Sequence, residues 1–353
     1  MTRTSLIHGG NLHRASQETG IPLENWLDLS TGISPYAYPC SELPDWVFAR
    51  LPYANEAFAE KVGTYYGSKS FVALPGTQTA IQLLPEILQY LPVLLPSIGY
   101  QEHAQAWQNH GNECTYYDSL NAEQAIRDID LSLRQNPAQH LLIINPNNPT
   151  TLRFSTRQLA SWAKQLKNGA CLIVDEAFID THTKASMIAH LADNIIVLRS
   201  FGKFFGLAGI RLGFIFASEA ILSRIECQLP LWSINGPAAY LAEQALGDRE
   251  WQNQHQLRLQ DTEQRTIQLF ARLHDTPYCA RTFHERLFSS YLLKQQDAHA
   301  LFAHFYRQGV LLRLIPLPAE QAIIRIGRVP FGQKVNSETA EFNFDQAVLA
   351  AWW

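Results

Sequence analysis

Lys203 stands in the stretch "LRSFGKFFGLAGIRLG", among phenylalanines and glycines, with Arg199 four residues before it and Arg211 eight after it. An apolar setting disfavours an ammonium ion and so favours the neutral amine, which is both a nucleophile and a proton carrier. Two other apolar runs end in polar clusters. "LLIINPNNPT" ends in Asn145, Asn147 and Asn148, and "LIVDEAF" in Asp175 and Glu176. Polar residues at the ends of buried strands are where an α/β sheet carries its chemistry.

An acid at one strand end and a lysine at another suit the two ends of a pyridine ring. The carboxylate keeps the ring nitrogen protonated, and the amine forms a Schiff base with the ring's aldehyde. This is the arrangement pyridoxal 5'-phosphate requires, and it makes Lys203 and Asp175 the candidate catalytic pair. The phosphate needs donors, and "LPGTQTAIQLL" offers a glycine turn into a helix start at Gly76, Thr77 and Gln78. Ser200 and Arg211 can complete that site, Arg211 by a bidentate contact. Tyr100, after "PSIG", is placed to stack on the ring. Each feature alone is ordinary: an acidic pair is often a structural ion pair, a lysine often snorkels, and Asn and Pro form turns. Their order and spacing are not ordinary.

The elements that must position these residues alternate between the two periods. "TQTAIQLLPEILQY", "QEHAQAWQNHG" and "STRQLASWAKQLKNG" have helical spacing, the last with Ser155 as cap. "LPVLLP", "HLLIINP", "ACLIVDEAF" and "NIIVLRS" are strand-like, which predicts an α/β fold with a mostly parallel sheet. Beyond about residue 230 a long polar-faced helix, "EWQNQHQLRLQDTEQRTIQLFARL", leads into strand-like "RLFSSYLLK", "VLLRLI" and "QAIIRIG" around helical "DAHALFAHFYRQG". That tail predicts a smaller C-terminal α+β domain. The expected division is an N-terminal arm over residues 1–50, a large domain over 51–235 and a small domain over 236–353, with the boundary inside a connecting helix.

The chain has 353 residues, 46% of them hydrophobic and 17% charged, with a formal net charge of -4. Nothing in that charge pattern predicts a nucleic-acid or membrane partner. Five dispersed cysteines and twelve histidines without ligand spacing suggest neither a disulfide framework nor a metal site. The N-terminus "MTRTSLIHGGNLHRAS" lacks a long apolar core, so a cytoplasmic protein is expected.

With these residues in hand, the chain resembles, over nearly its whole length, the fold-type I pyridoxal phosphate enzymes of the aspartate aminotransferase superfamily. Ser200, Lys203 and Arg211 match that family's spacing, with "NPNNPT" and "VDEAF" in the expected order before them. The resemblance implies that Lys203 is the Schiff-base lysine, Asp175 the pyridinium partner, Asn148 a donor to the ring hydroxyl and Arg325 the clamp on the substrate carboxylate. Tyr53 occupies a place where the superfamily sends a tyrosine to the neighbouring subunit's cofactor phosphate, which implies a homodimer. There are two departures: Phe178 stands where a tyrosine is common, and Thr151 replaces the glycine of "NPTG".

The N-terminal "HGGNLHRASQETGIPLENWLDLSTGISPYAYP" is similar to the threonine-phosphate decarboxylase group of cobalamin biosynthesis, itself related to histidinol-phosphate aminotransferases. "QLPLWSINGPAA" resembles its substrate-facing segment, with Trp232, Ser233 and Asn235. The implied substrate is a small phosphorylated amino acid, L-threonine O-3-phosphate. His8, Gly9, Gly10 and Asn11 would meet its phosphate, with Arg313 as the other candidate donor. The alternative is a histidinol-phosphate-type aminotransferase using 2-oxoglutarate. A non-catalytic descendant is disfavoured, because Lys203, Asp175 and Arg325 are all kept.

Overall fold

Runs of Val, Ile and Leu gain most by burying both faces. In the computed structural model, which describes residues 8–40, 43–53, 55–274 and 279–331, such runs become strands covered on both sides. The strands among the described residues are β1 (Leu27–Asp28), β2 (Phe71–Leu74), β3 (Val93–Pro96), β4 (Cys114–Tyr117), β5 (His140–Ile144), β6 (Leu172–Asp175), β7 (Ile195–Ser200), β8 (Gly213–Phe216), β9 (Cys279–Glu285), β10 (Phe288–Lys294), β11 (Val310–Leu311), β12 (Arg313–Leu317) and β13 (Gln321–Gly327). They fall into two compact units, residues 37–254 and residues up to 36 together with those from 255 onward.

In the unit of residues 37–254 seven strands lie in the order β2-β8-β7-β6-β5-β3-β4. β4, β3, β5, β6 and β7 are mutually parallel, and β8 is antiparallel to both its neighbours. Helices Thr77–Ile87, Gln101–Asn109, Ala122–Gln135 and Thr156–Ala163 follow β2 to β5 in turn. The Ser155 hydroxyl caps the last of them, accepting from Gln158 N at 3.2 Å. Leu95, Ile144, Ile173, Ile196 and Ile215 meet Trp107 in one buried cluster. The topology brings the C-terminal ends of β2, β3, β5, β6 and β7 to one edge of the sheet, because Gly213 of β8 is paired with both Leu74 and Ser200.

The other unit has a four-stranded antiparallel sheet, β12-β13-β10-β9, and a two-stranded parallel sheet, β1-β11. "VLLRLI", read from sequence as one strand, is two. Val310 and Leu311 pair with β1, whereas Arg313–Leu317 pairs with β13. The cause is β1 itself: Leu27 N donates to Gly309 O at 2.8 Å and Leu29 N to Leu311 O at 2.9 Å, pulling the first two residues out of the larger sheet. The same bonds attach residues 8–36 to this unit. The two compact units divide at 36 and 254, the second division falling inside helix Arg249–Leu269. Among the described residues no helix is long and apolar enough to cross a membrane.

Thr151, at the place of the "NPTG" glycine, has φ 56°. A β-branched residue in the left-handed region is strained, yet its backbone N–H is spent on Asn147 O at 2.7 Å, which holds the turn. Thr151→Gly is expected to raise stability by about 1 kcal/mol, relief of strain less the entropy of a glycine, read as a higher chemical-denaturation midpoint.

Candidate functional site

The parallel edge of the residue 37–254 unit collects most of the predicted residues. Gly76, with φ 85°, turns the chain from β2 into helix Thr77–Ile87, so the backbone N–H groups of Thr77 and Gln78 open the helix with no side-chain cap. Arg211, also left-handed at φ 57°, comes back to the same place. A Cβ at Gly76 would lie 2.8 Å from Arg211 Nη2, and one at Gly213 would lie 2.6 Å from Thr77 N. Two glycines thus keep open a cradle of backbone donors and one guanidinium, the chemistry that holds an oxyanion. Ser200 stands opposite Gly213 in the sheet register, at the rim of that cradle.

Next along the edge, the Tyr100 hydroxyl donates to Gln78 Oε1 at 3.1 Å, and Gln78 Nε2 donates to Glu102 Oε2 at 2.8 Å. Tyr100 lies edge-on to His103, with ring centroids 6.1 Å apart. His103 Nε2 is 2.8 Å from Asp175 Oδ2, while Asp175 Oδ1 accepts from Ala177 N at 3.0 Å. Both His103 and Asp175 are buried. An ionised Asp175 can only accept, so Nε2 is the protonated ring nitrogen and the carboxylate is held from two directions. Sequence reading missed His103. The available signal was its position three residues after Tyr100 on an amphipathic helix, which puts both rings on one face.

The Asn cluster divides its work. Asn145 accepts from Phe154 N at 2.8 Å and donates to Phe154 O at 3.2 Å, and Asn147 donates to Ile98 O at 2.8 Å. These two fix the loop, in which the Asn145–Pro146 and Asn148–Pro149 bonds are both cis. Half-buried Lys203 lies on the helical turn Phe201–Phe204, its Nζ 5.7 Å from the Phe178 ring centroid. The residue that departs from the family's tyrosine thus gives the lysine an aromatic face.

Behind these side chains a buried ionic network ties β6 to β7. Arg199 Nη2 meets Asp180 Oδ1 at 2.6 Å and its Nη1 meets Glu176 Oε2 at 3.5 Å. Glu176 also accepts from the Ser186 hydroxyl and from Met187 N, each at 2.6 Å, and the Tyr65 hydroxyl donates to Asp180 at 3.0 Å. The guanidinium lies 4.6 Å from the Tyr66 ring centroid. Burial disfavours the Arg199 cation, but Asp180 and Glu176 outweigh it and raise its pKa.

Tyr53 is exposed and stands edge-on to Trp232, with centroids 6.4 Å apart; Trp232 itself has φ 56°. Asn235 caps helix Gly236–Gly247, accepting from Ala238 N at 2.9 Å, and donates to Ile210 O at 3.1 Å.

The remaining predicted residues belong to the other unit. Arg325 on β13 is buried and sits in register with Arg313 on β12. Burial first, then Arg313, pushes the Arg325 guanidinium down to about 10, against the pull of Asp28. Arg325 Nη2 donates to Ser30 O. His8 is exposed, Gly9 packs on Ser30, and Asn11 caps helix Leu12–Thr19 by accepting from Arg14 N at 3.0 Å.

The family described as aminotransferase class I and II matches residues 48–330. The chain is 36% identical, over 324 residues covering 91% of it and 92% of the relative, to a threonine-phosphate decarboxylase of Pseudomonas aeruginosa. In fold it is similar to histidinol-phosphate aminotransferase from Sinorhizobium meliloti in complex with pyridoxal-5'-phosphate, with TM-score 0.75 and 18% identity over 94% of this chain and 93% of that one. It is also similar to L-threonine-O-3-phosphate decarboxylase from Porphyromonas gingivalis, with TM-score 0.71 and 16% identity over 92% and 98%.

The network makes its own prediction. Arg199→Met strands two buried carboxylates and is expected to lower stability by about 3–5 kcal/mol, read from the shift of the urea unfolding midpoint. A loss below about 1 kcal/mol would show that the cluster carries no net charge pairing.

Proposed function

The chain belongs to the class I and II aminotransferase family, and from that membership we propose that it is a pyridoxal phosphate-dependent decarboxylase of L-threonine O-3-phosphate. The product is (R)-1-amino-2-propanol O-phosphate, for cobalamin biosynthesis. The observation that carries the reading is the likeness, over nine-tenths of both chains, to the Pseudomonas aeruginosa decarboxylase. The histidinol-phosphate type of aminotransferase shares fold and cofactor and is the alternative that the assay must separate.

The residues fit the cofactor. The cradle at Gly76, kept open by missing Cβ atoms, suits its phosphate; Thr77 N, Gln78 N, Ser200 and Arg211 are its proposed holders. When bound, pyridoxal phosphate supplies an electron sink for the pair released from a Cα bond. Asp175, oriented by His103 and Ala177 N, accepts from the ring nitrogen, Asn148 donates to the ring hydroxyl, and Tyr100 covers the ring. Lys203 Nζ would hold the cofactor's aldehyde until the substrate amine displaces it, and the freed amine would then be the proton donor to Cα. Arg325 binds the substrate carboxylate, His8, Gly9, Asn11 and Arg313 receive its phosphate, and Trp232 is a further proposed substrate contact. Whether the Cα–carboxylate or the Cα–H bond breaks depends on where these donors hold the two anions, a matter of positioning.

The working unit is proposed to be a homodimer. Tyr53, Leu51, Phe48, Trp46, Leu231 and Trp232 leave large apolar side chains exposed on one unit, more than scattered surface residues account for. All five cysteines are free, in keeping with the proposed cytoplasmic setting. Sedimentation is expected to give twice the chain mass, and Leu51→Asp to shift it toward the monomer.

The deciding assay supplies pyridoxal phosphate and L-threonine O-3-phosphate without any keto acid. Sustained CO2 release is expected, falling by about 1,000-fold or more in Lys203→Ala. Amino transfer from histidinol phosphate to 2-oxoglutarate with no CO2 would replace this reading by the alternative.

A further inference from the structure

Ser30 is fully buried, and three of its groups hold three different partners. Its carbonyl accepts from Arg325 Nη2. Its hydroxyl accepts from Gly10 N at 2.7 Å and donates to Asp28 Oδ1 at 2.6 Å. Its backbone N–H also donates to Asp28 Oδ1, at 2.8 Å. A hydroxyl has one proton to give. With that proton committed to Asp28, the oxygen's lone pair is aimed at Gly10 N.

The segment is anchored on both sides. Leu29 N donates to Leu311 O at 2.9 Å and Leu29 O accepts from Gly327 N at 2.7 Å, while a Cβ at Gly327 would stand 2.5 Å from Thr31 O. Ser30 therefore cannot drift relative to the strand that carries Arg325. The glycine pair of "HGGN" is explained by the same residue. A Cβ at Gly9 would lie 2.5 Å from Ser30 O and 2.7 Å from its Oγ, and Gly10 has φ 88°. Gly9 is needed for close approach to Ser30 and Gly10 for the left-handed backbone.

We propose that Ser30 is a specificity-positioning residue: one side of it aims the Arg325 guanidinium and the other fixes the backbone at His8–Gly10. Two anion-receiving elements are thereby held at a set separation within one unit. The inference rests on the reading above, in which Arg325 receives the substrate carboxylate and His8–Gly10 its phosphate. It deepens that reading by stating what sets the spacing. The ligand class selected is an amino acid bearing a second anion a few bonds from its carboxylate. Asp28 contributes by holding the Ser30 hydroxyl in its working rotamer, and with Arg313 in register with Arg325 it leaves the pair of arginines a net single positive charge.

The test uses the pyridoxal phosphate-loaded protein, in which the cofactor's own phosphate site is filled. Inorganic phosphate binding is measured by calorimetry, and KM and kcat are measured with L-threonine O-3-phosphate. Ser30→Ala keeps the carbonyl but loses the hydroxyl, and is expected to weaken phosphate binding and raise KM by about tenfold, with kcat changed by less than about threefold. Ser30→Thr, which restores a hydroxyl, is expected to recover most of the loss, and Asp28→Asn to show a smaller defect of the same kind. Unchanged phosphate affinity in Ser30→Ala overturns the inference. So does an equal loss of affinity for L-threonine, which lacks the phosphate, because that is the signature of a general packing defect. If the wild-type protein fails to turn over L-threonine O-3-phosphate but Ser30→Ala still weakens phosphate binding, the functional reading fails and the positioning role stands.

Discussion

The ends of β6 and β7 both depend on the buried Arg199 guanidinium. Successive side chains of a strand point to opposite faces, so Asp175 and Ser200 can face the cradle and the Tyr100 helix while their chain neighbours Glu176 and Arg199 face away. Two carboxylates and one guanidinium out of water are stable only as a set, and Ser186, Met187 N and Tyr65 add donors to the carboxylates. The cluster is thus a rivet through the sheet, fixing the spacing of strand ends whose other faces carry the proposed site.

A second constraint is close approach. At Gly76 and Gly213 the space that a Cβ would occupy is taken by the Arg211 guanidinium and by Thr77 N. Positive charge and backbone donors are held facing one small space in advance of any ligand, which lowers the ordering cost of binding an oxyanion. Arg211 must adopt φ 57° to do so, a backbone state that the surrounding turn imposes.

In the other unit a two-residue strand has consequences beyond its length. β1 splits "VLLRLI", leaving Arg313 in the larger sheet beside Arg325, and brings Asp28 and Ser30 up to Arg325. Two like charges in register are unfavourable, and burial adds to the cost. Asp28 offsets part of that cost at Arg325.

Local periodicity and spacing in the sequence alone were enough to determine the α/β order, the buried strands β3, β5, β6 and β7, and the candidate set Lys203, Asp175, Ser200, Arg211 and Gly76. Each of those signals is short-range: a strand's alternation, a helix start after glycine, polar residues at the end of an apolar run. β4 escaped notice because two of its four residues are exposed, which breaks the apolar run. His103, Ser30 and Asp28 escaped because their roles arise from partners far along the chain, 72 residues from His103 to Asp175 and 295 from Ser30 to Arg325. Only the tertiary structure decided which of the asparagines hold the loop, where residues 8–36 attach, and what the glycines of "HGGN" are for. Such questions turn on a hydrogen bond or a missing Cβ between distant segments, and no local pattern records them.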